Sequence, residues 1–472
     1  LNDVIIIAEF VEKVGGKNAS LGEMYQNLTK EGIRIPNGFA ITADAYRLVL
    51  DSNDAWKKLH AQLDDLDPDD VAQLQERGKC CREIINACEL PEILIEQISN
   101  AYEALKAEYG EEVTLAVRSS ATAEDSPEAS FAGQNESYLN IHGLDALLVA
   151  YKRCLASNFT DRSLHYKFDH GFNYLKVHLS VVVMKMVRSD IGESGVMFSI
   201  DPETGFKDVV FINAAYGLGE NIVQGAIAPD SFYVHKPTFR KGHRSVLKRR
   251  LGDKALKMVF DDGGSKDAIA AEYTKNLETS HEERSRFSIS DEEVMLLAEY
   301  AMKIEAHYTQ EAGYEKPMDI EWAKDGLDGH LYIVQARPET VESRKTENMI
   351  EVYSLSGRSK VLAEGQAVGT KIGSGRVRKI TDAGKLHEFQ AGDVLVAETT
   401  SPDWEPVMKI ASAIVTNSGG RTCHAAIVSR ELGIPAIVGT KDALEVLKEG
   451  QEVTVSCAEG EIGVVYEGML AY

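Results

Sequence analysis

The chain has 472 residues, with 51 Lys or Arg against 74 Asp or Glu and a formal net charge of -23. A chain of this length exceeds what one hydrophobic core ordinarily serves, so more than one domain is expected. The acidic excess argues against general nucleic-acid binding, which needs a positive field to displace counterions, while local anion capture by a few cations and backbone N–H groups stays open.

Val4 to Ala8 is the one apolar stretch near the N-terminus. It is too short, and its flanks too acidic, for a signal peptide. The first residue is Leu1 rather than Met, so the natural start is expected upstream. No apolar run approaches a membrane span, and no membrane partner is expected. Cys80, Cys81, Cys88, Cys154, Cys423 and Cys457 contain no C-x-x-C pair. They read as free thiols of a reducing, cytoplasmic protein.

Residues 1–340 read as one large α/β unit. Helical periodicity is clear in Ala19 to Leu28, Ala45 to Leu50 and Leu144 to Ala156, and residues 51–112 read as a charged, helix-rich insertion. Gly15-Gly16-Lys17 opens a helix but is not a P-loop, since Val11 and Asn18 stand where that pattern needs Gly and Ser or Thr. Lys17 is either a solvated side chain or one that reaches phosphates. Ala116-Val117-Arg118-Ser119-Ser120 is an apolar strand ending in Arg and two hydroxyls, continued by Ser130-Phe131-Ala132-Gly133-Gln134. Arg118 at such a strand end suits phosphate capture about as well as it suits a surface hairpin. β-Branched runs follow at Val181-Val182-Val183 and Val209 to Ile212. The second leads into Gly217-Leu218-Gly219-Glu220, a tight turn whose Glu220 is a candidate contact for ribose or metal. Residues 236–290 are polar and read as exposed hairpins and loops.

Residues 317–338 carry the strongest pattern in this half. Met318, Ile320 and Trp322 alternate with Asp319, Glu321 and Ala323, which puts both carboxylates on one face of a strand. Lys324 to His330 reads as a turn, and Leu331 to Arg337 as a second strand with Gln335 and Arg337 on a shared face. Pairing Ala323 with Leu331 gathers Asp319, Glu321, Gln335 and Arg337 on one side. Carboxylates and an amide oxygen are hard ligands that suit Mg²⁺ shared with substrate phosphates, and Arg337 would neutralise phosphate charge. A solvent-facing charged hairpin is the competing reading.

Residues 341–352 are polar with no core pattern and read as a linker. Residues 353–468 form a second, smaller unit rich in Gly, Val and Ile, in which Gly373-Ser374-Gly375 reads as a turn. Here Ala413 to Thr416 is a buried strand, Gly419-Gly420 a turn, and the following segment a helix stopped by Gly433 and Pro435. His424 falls in the first helical turn. The helix dipole disfavours a cation there, and a neutral imidazole is a nucleophile. A phosphoryl group on it would sit among free backbone N–H donors, with Arg421 placed to add charge-assisted hydrogen bonds. Thr422 reads as a helix N-cap, and Cys423 as a packing residue.

Gly419-Gly420-Arg421-Thr422-Cys423-His424-Ala425-Ala426 resembles the phosphohistidine signature of the phosphoenolpyruvate synthase (pyruvate, water dikinase) family. Val14 to Met24, Ala116 to Asp125 and Asp319 to Ala323 resemble the same family's nucleotide-binding domain, and the likeness covers essentially the whole chain. It implies a two-lobed ATP-grasp domain over 1–340 joined to a swivelling phosphohistidine β/β/α domain over 353–468. It further implies that His424 takes a phosphoryl group from ATP, with Mg²⁺, and passes it to pyruvate. Lys17, Arg118, Glu220, Asp319 and Arg337 would serve the nucleotide, Glu321 and Gln335 the metal, and Thr422 would be a regulatory phosphorylation site for a kinase or phosphorylase. A homodimer is compatible with the sequence, whose charge does not choose between dimer and monomer. Three departures stand out. The family's pyruvate-binding barrel would follow residue 472, the first ten residues are unlike the family's start, and Val182-Val183-Met184-Lys185 lies where the family tends to carry Gly and Gln. The rival functions are another phosphohistidine-relay enzyme, such as pyruvate phosphate dikinase or an antibiotic phosphotransferase, and a non-catalytic phosphocarrier.

Overall fold

The computed structural model describes residues 11–67, 70–122, 137–169, 171–261, 274–339, 353–401 and 404–472. The expected linker at 341–352 and the loop Ser130 to Gln134 lie outside them. The chain is a mixed α/β protein with several sheets and helices. It forms two compact units. The first takes in the described residues of Leu1–Arg188, Phe260–Lys275 and His330–Arg337, and the second those of Ser189–Val259, Asn276–Gly329 and Pro338–Tyr472.

In the first unit, the helix Val11–Leu28 breaks at Gly15, whose φ is 74° and ψ 166°. A Cβ there would lie 2.3 Å from Ser120 Oγ and 2.7 Å from the Ser120 carbonyl oxygen. Both the backbone conformation and the close approach therefore require glycine. The helix restarts at Gly16, which puts Lys17 in a first turn. Asn18 is fully buried, and its Nδ2 donates to Val14 O at 2.8 Å and to Ser180 Oγ at 2.7 Å. Four strands, β1 (Gly38–Ile41), β2 (Leu115–Ala121), β3 (Ser137–Ile141) and β4 (Leu179–Lys185), form an antiparallel sheet in the order β1-β4-β2-β3. Six of the seven residues of β4 are buried, because elements cover both its faces, and this is why it reads as an unbroken apolar run. The helix-rich segment forms Ala55–Leu63, Val71–Ala87 and Glu92–Tyr109. Their inward Leu59, Ile85 and Ile98 join Tyr46, Leu147 and Val183 in one core.

In the second unit, β5 (Glu193–Phe198), β6 (Val209–Tyr216), β7 (Asp230–His235) and β8 (Val246–Arg250) form consecutive antiparallel pairs. β9 (Leu256–Phe260) and β10 (Thr274–Glu278) form a separate two-stranded sheet. β11 (Met318–Lys324) pairs antiparallel with β5, so the order runs β11-β5-β6-β7-β8. The helix Asp291–Ala312 packs against β6, β7 and β11. It is started by a capping box of Ser290 and Glu293 and stopped by Gly313 in the left-handed region. A turn at 325–329 leads into β12 (Leu331–Pro338), and both strands keep the expected alternation of buried apolar residues.

The remaining strands are β13 (Val361–Val368), β14 (Ile372–Lys379), β15 (Val394–Ala397), β16 (Ala413–Thr416), β17 (Ala436–Val438), β18 (Glu452–Ser456) and β19 (Ile462–Glu467). They close a barrel in the order β13-β17-β16-β15-β14-β18-β19. β14 to β17 are parallel neighbours, and the other pairs are antiparallel. Gly373-Ser374-Gly375 is not a turn but part of β14. A Cβ at Gly373 would lie 2.2 Å from Ser412 O, and one at Gly375 2.2 Å from Gly392 O, so these glycines permit close backbone approach within the barrel wall.

Candidate functional site

The parallel pairing of β15 with β16 sets Ala397 level with Thr416, so the loops that follow both strands leave from the same end of the barrel. One loop carries Thr399 and Thr400, the other Gly419 to Cys423. Gly419 turns with φ 106°, and a Cβ on it would meet Cys423 Sγ at 2.9 Å. The helix His424–Leu432 then begins at the histidine, with Cys423 as its N-cap and Gly433 in the left-handed region at its end. The cap expected at Thr422 is thus displaced by one residue, because the extended backbone that precedes the helix belongs to Cys423, whose φ is -73° and ψ 164°.

His424 is half-buried, and its Nδ1 lies 2.9 Å from Thr400 Oγ1. Thr400 is itself buried at 3% exposure. Cys423 packs in the barrel core, and burial raises its thiol pKa against several backbone N–H contacts that lower it, so it is a packing residue rather than an activated thiol. All six cysteines are free.

The loop that carries His424 rests on the second unit's sheet. Thr422 is 1% exposed, and Asn213 Nδ2 of β6 donates to its Oγ1 at 2.6 Å. Arg421 Nη1 donates to the Tyr233 hydroxyl of β7 at 3.0 Å, and its Nε lies 4.0 Å from Glu203 Oε1. Burial works against the Arg421 charge, but Glu203, Tyr233, Glu461 and Asp201 outweigh it and hold the guanidinium pKa above its usual value. Burial likewise pushes the Tyr233 hydroxyl up to about 12.

The sheet register defines what else shares this face. Asp319 pairs with Phe198, Phe198 with Phe211, Phe211 with Tyr233, and Tyr233 with Lys248. Directly opposed residues of a sheet project to the same side, and so do residues two apart on a strand. Asp319 and Glu321 therefore lie on the face that meets Arg421 and Thr422 through Tyr233 and Asn213. Two strand steps separate β11 from β6, about 10 Å.

Glu220 begins the short helix Glu220–Val223, directly after the turn at Gly217, where φ is 84°. In the first unit, Arg118 and Gln335 are brought together: Arg118 Nη2 donates to Gln335 Oε1 at 3.0 Å. One lone pair of that amide oxygen is thereby engaged, and a second remains for another partner. Gln335 is buried, while Lys17, Arg118 and Arg337 are half-buried. Asp319 and Glu321 are half-buried in the second unit. Among the described residues, no cluster of three or more His, Cys, Asp or Glu side chains forms a metal cage. A pair of carboxylates on one strand face is the donor set that suits Mg²⁺, which is commonly held by one or two carboxylates and substrate phosphates.

The residues that sequence reading missed are Thr400, Asn213, Tyr233, Glu203 and Arg430. Only Thr400 left a local trace, as a polar Thr-Thr-Ser run directly after a strand. The others sit on ordinary strands, turns and helices, and only the packing of the barrel on the sheet reveals them.

A family model described as pyruvate phosphate dikinase, AMP/ATP-binding domain, matches residues 11–356, and a second described as PEP-utilising enzyme, mobile domain, matches residues 389–460. The phosphoenolpyruvate synthase of Synechocystis sp. is 53% identical over 464 residues, which span 97% of this chain and 56% of that protein. Those of Helicobacter pylori and Escherichia coli are 52% and 51% identical over 466 residues each, covering 97% and 98% of this chain and 57% of each relative. The chain spans little more than half the length of these curated relatives.

Proposed function

The chain belongs to the family of pyruvate phosphate dikinase AMP/ATP-binding domains, and from that membership we propose that it performs the ATP-dependent half of a phosphoenolpyruvate synthase reaction. In this reading residues 1–340 are a two-lobed ATP-grasp domain, and 353–468 are a swivelling phosphohistidine domain. The observation that carries it is His424 at the first position of a helix, held through Nδ1 by Thr400, on a loop docked to the sheet face that bears Asp319 and Glu321.

With Nδ1–H donated to Thr400, the lone pair of Nε2 attacks the β-phosphorus of ATP. The bond from the β-phosphorus to the oxygen bridging to the α-phosphate breaks, and AMP leaves with that oxygen. Water then attacks the terminal phosphorus of the pyrophosphoryl group, releasing orthophosphate and leaving one phosphoryl group on His424. In the complete protein that group goes to pyruvate. The backbone N–H groups at the start of the helix stabilise the phosphoryl oxygens.

Lys17, Arg118 and Arg337 are assigned to ATP phosphates, and Glu220 to the ribose. Asp319 is assigned to the nucleotide as well, and Glu321 and Gln335, the latter through its second lone pair, would hold Mg²⁺. When bound, the cation neutralises charge on the transferred phosphates. Thr422 is assigned the regulatory role; buried against Asn213, it is reached by a modifying enzyme only when the loop leaves the sheet. We place the protein in the cytoplasm. Among the described residues no helix is long and apolar enough to cross a membrane.

The test is incubation with ATP labelled at the β-phosphate. The expected product is an acid-labile, base-stable adduct that disappears in His424→Ala. Label that survives this substitution refutes the assignment.

A further inference from the structure

The loop between β5 and β6 is built to present one carboxylate. Asp201 Oδ2 accepts from Thr204 Oγ1 at 2.6 Å, its backbone oxygen accepts from Gly205 N at 2.9 Å, and its Oδ1 accepts from Glu203 N at 3.3 Å. Phe206 N donates to Thr204 Oγ1 at 3.2 Å. These bonds hold the turn, and the Glu203 side chain projects from it at 8% exposure.

Among the described residues, the partners of that carboxylate belong to the barrel. Arg430 Nη2 donates to Oε1, Gly369 N donates to Oε2 at 3.0 Å, and Arg421 Nε stands 4.0 Å from Oε1. Arg421 and Arg430 bracket His424, one three residues before it and one six after. Arg430 Nη2 also donates to the Arg421 carbonyl at 2.5 Å, so a single guanidinium ties the carboxylate to both ends of the histidine segment. Gly369 lies in the turn between β13 and β14. Glu203 thus grips the barrel at the histidine helix, the histidine loop and a separate turn.

We propose that Glu203 is the positioning residue that latches the barrel in its ATP-facing arrangement, so that His424 reaches the β-phosphate only while this carboxylate is engaged. The proposal rests on the swivelling reading given above. The physics suits a reversible contact. A buried ion pair loses much of its Coulombic attraction to the cost of dehydrating both charges, so its net contribution is small, and both partners are rehydrated on separation. The same pair is directional, because a carboxylate that meets a guanidinium and a backbone N–H together does so in one orientation only. An apolar contact of equal area would hold the barrel more tightly and with less orientation.

The experiment uses the full 472-residue chain. Glu203→Gln keeps the shape and removes the charge. At saturating ATP, single-turnover labelling of His424 is expected to fall at least tenfold, while the ATP dissociation constant stays within twofold of the parent. Hydrogen exchange of the peptide containing Gly369 is expected to speed up. Arg430→Gln should slow labelling similarly, and the double variant should be no slower than the slower single. Unchanged labelling, a parallel loss of ATP affinity, or single effects that multiply would overturn the latch. A change in thermal midpoint without a change in labelling per folded molecule would show a merely structural role and would also overturn it. If the parent chain takes no label, the functional reading fails, and exchange at Gly369 still decides whether Glu203 holds the barrel.

Discussion

Thr400→Val probes the histidine directly. Thr400 Oγ1 stands 2.9 Å from His424 Nδ1, and the threonine is 3% exposed, so valine fills the same volume with a methyl in place of the hydroxyl. A neutral hydrogen bond of this kind contributes about 1 kcal/mol, and a half-buried ring N–H left without it loses somewhat more. Since about 1.4 kcal/mol is tenfold in rate, the variant should form phosphohistidine about fivefold to tenfold more slowly. Part of that loss arises because the two neutral tautomers of the ring then compete, and only the one with its lone pair on Nε2 attacks. The assay is rapid-quench labelling with ATP carrying a labelled β-phosphate, at saturating nucleotide. Thr400→Ser, which keeps the hydroxyl, should return the rate to within about twofold of the parent on the same reasoning. A valine variant that labels at the parent rate, or a serine variant as slow as valine, refutes the tautomer argument.

Two further expectations concern stability. Lys254 and Asp230 form a pair with both side chains at 0% exposure, and Asp230 also accepts from Gly252 N and from Ser288 N and Oγ. Lys254→Met leaves that carboxylate without its counter-charge and should cost about 3–5 kcal/mol, read as a drop in the urea midpoint. A loss below about 1 kcal/mol would mean the neutral donors suffice. Glu283 is held down to about 2, first by the hydrogen bond from Lys257 Nζ at 2.6 Å, which outweighs the opposing effect of burial, and further by the bonds to Ser280 and the Lys257 charge. A depressed carboxylate pKa stabilises the fold above its ordinary value of 4.5, and that contribution is lost as pH falls from there through about 2. Glu283→Gln should flatten this part of the acid-unfolding profile by less than about 1 kcal/mol, as for a partly screened surface pair. An unchanged profile counts against the pair.

Much was legible along the chain because it rests on local rules. The break at Gly15, the strand at 413–416, the helix that starts at His424 and stops at Gly433, and the alternation of Met318, Ile320 and Trp322 all follow from backbone conformation and side-chain periodicity. Those depend on residues a few positions apart. Gly373-Ser374-Gly375 misled, because glycine signals a turn and a close strand packing in the same way until the neighbouring backbone is known. Asn213 beneath Thr422, Tyr233 against Arg421, and Glu203 between Arg430 and Gly369 join residues up to 227 positions apart. No local pattern marks such partners, since each is an unremarked polar residue on its own element. The amino-acid order determined which imidazole opens a helix and where that helix starts and stops. Tertiary packing alone decided which sheet face meets it and which carboxylate holds it there, because those choices belong to surfaces that exist only once both elements have folded.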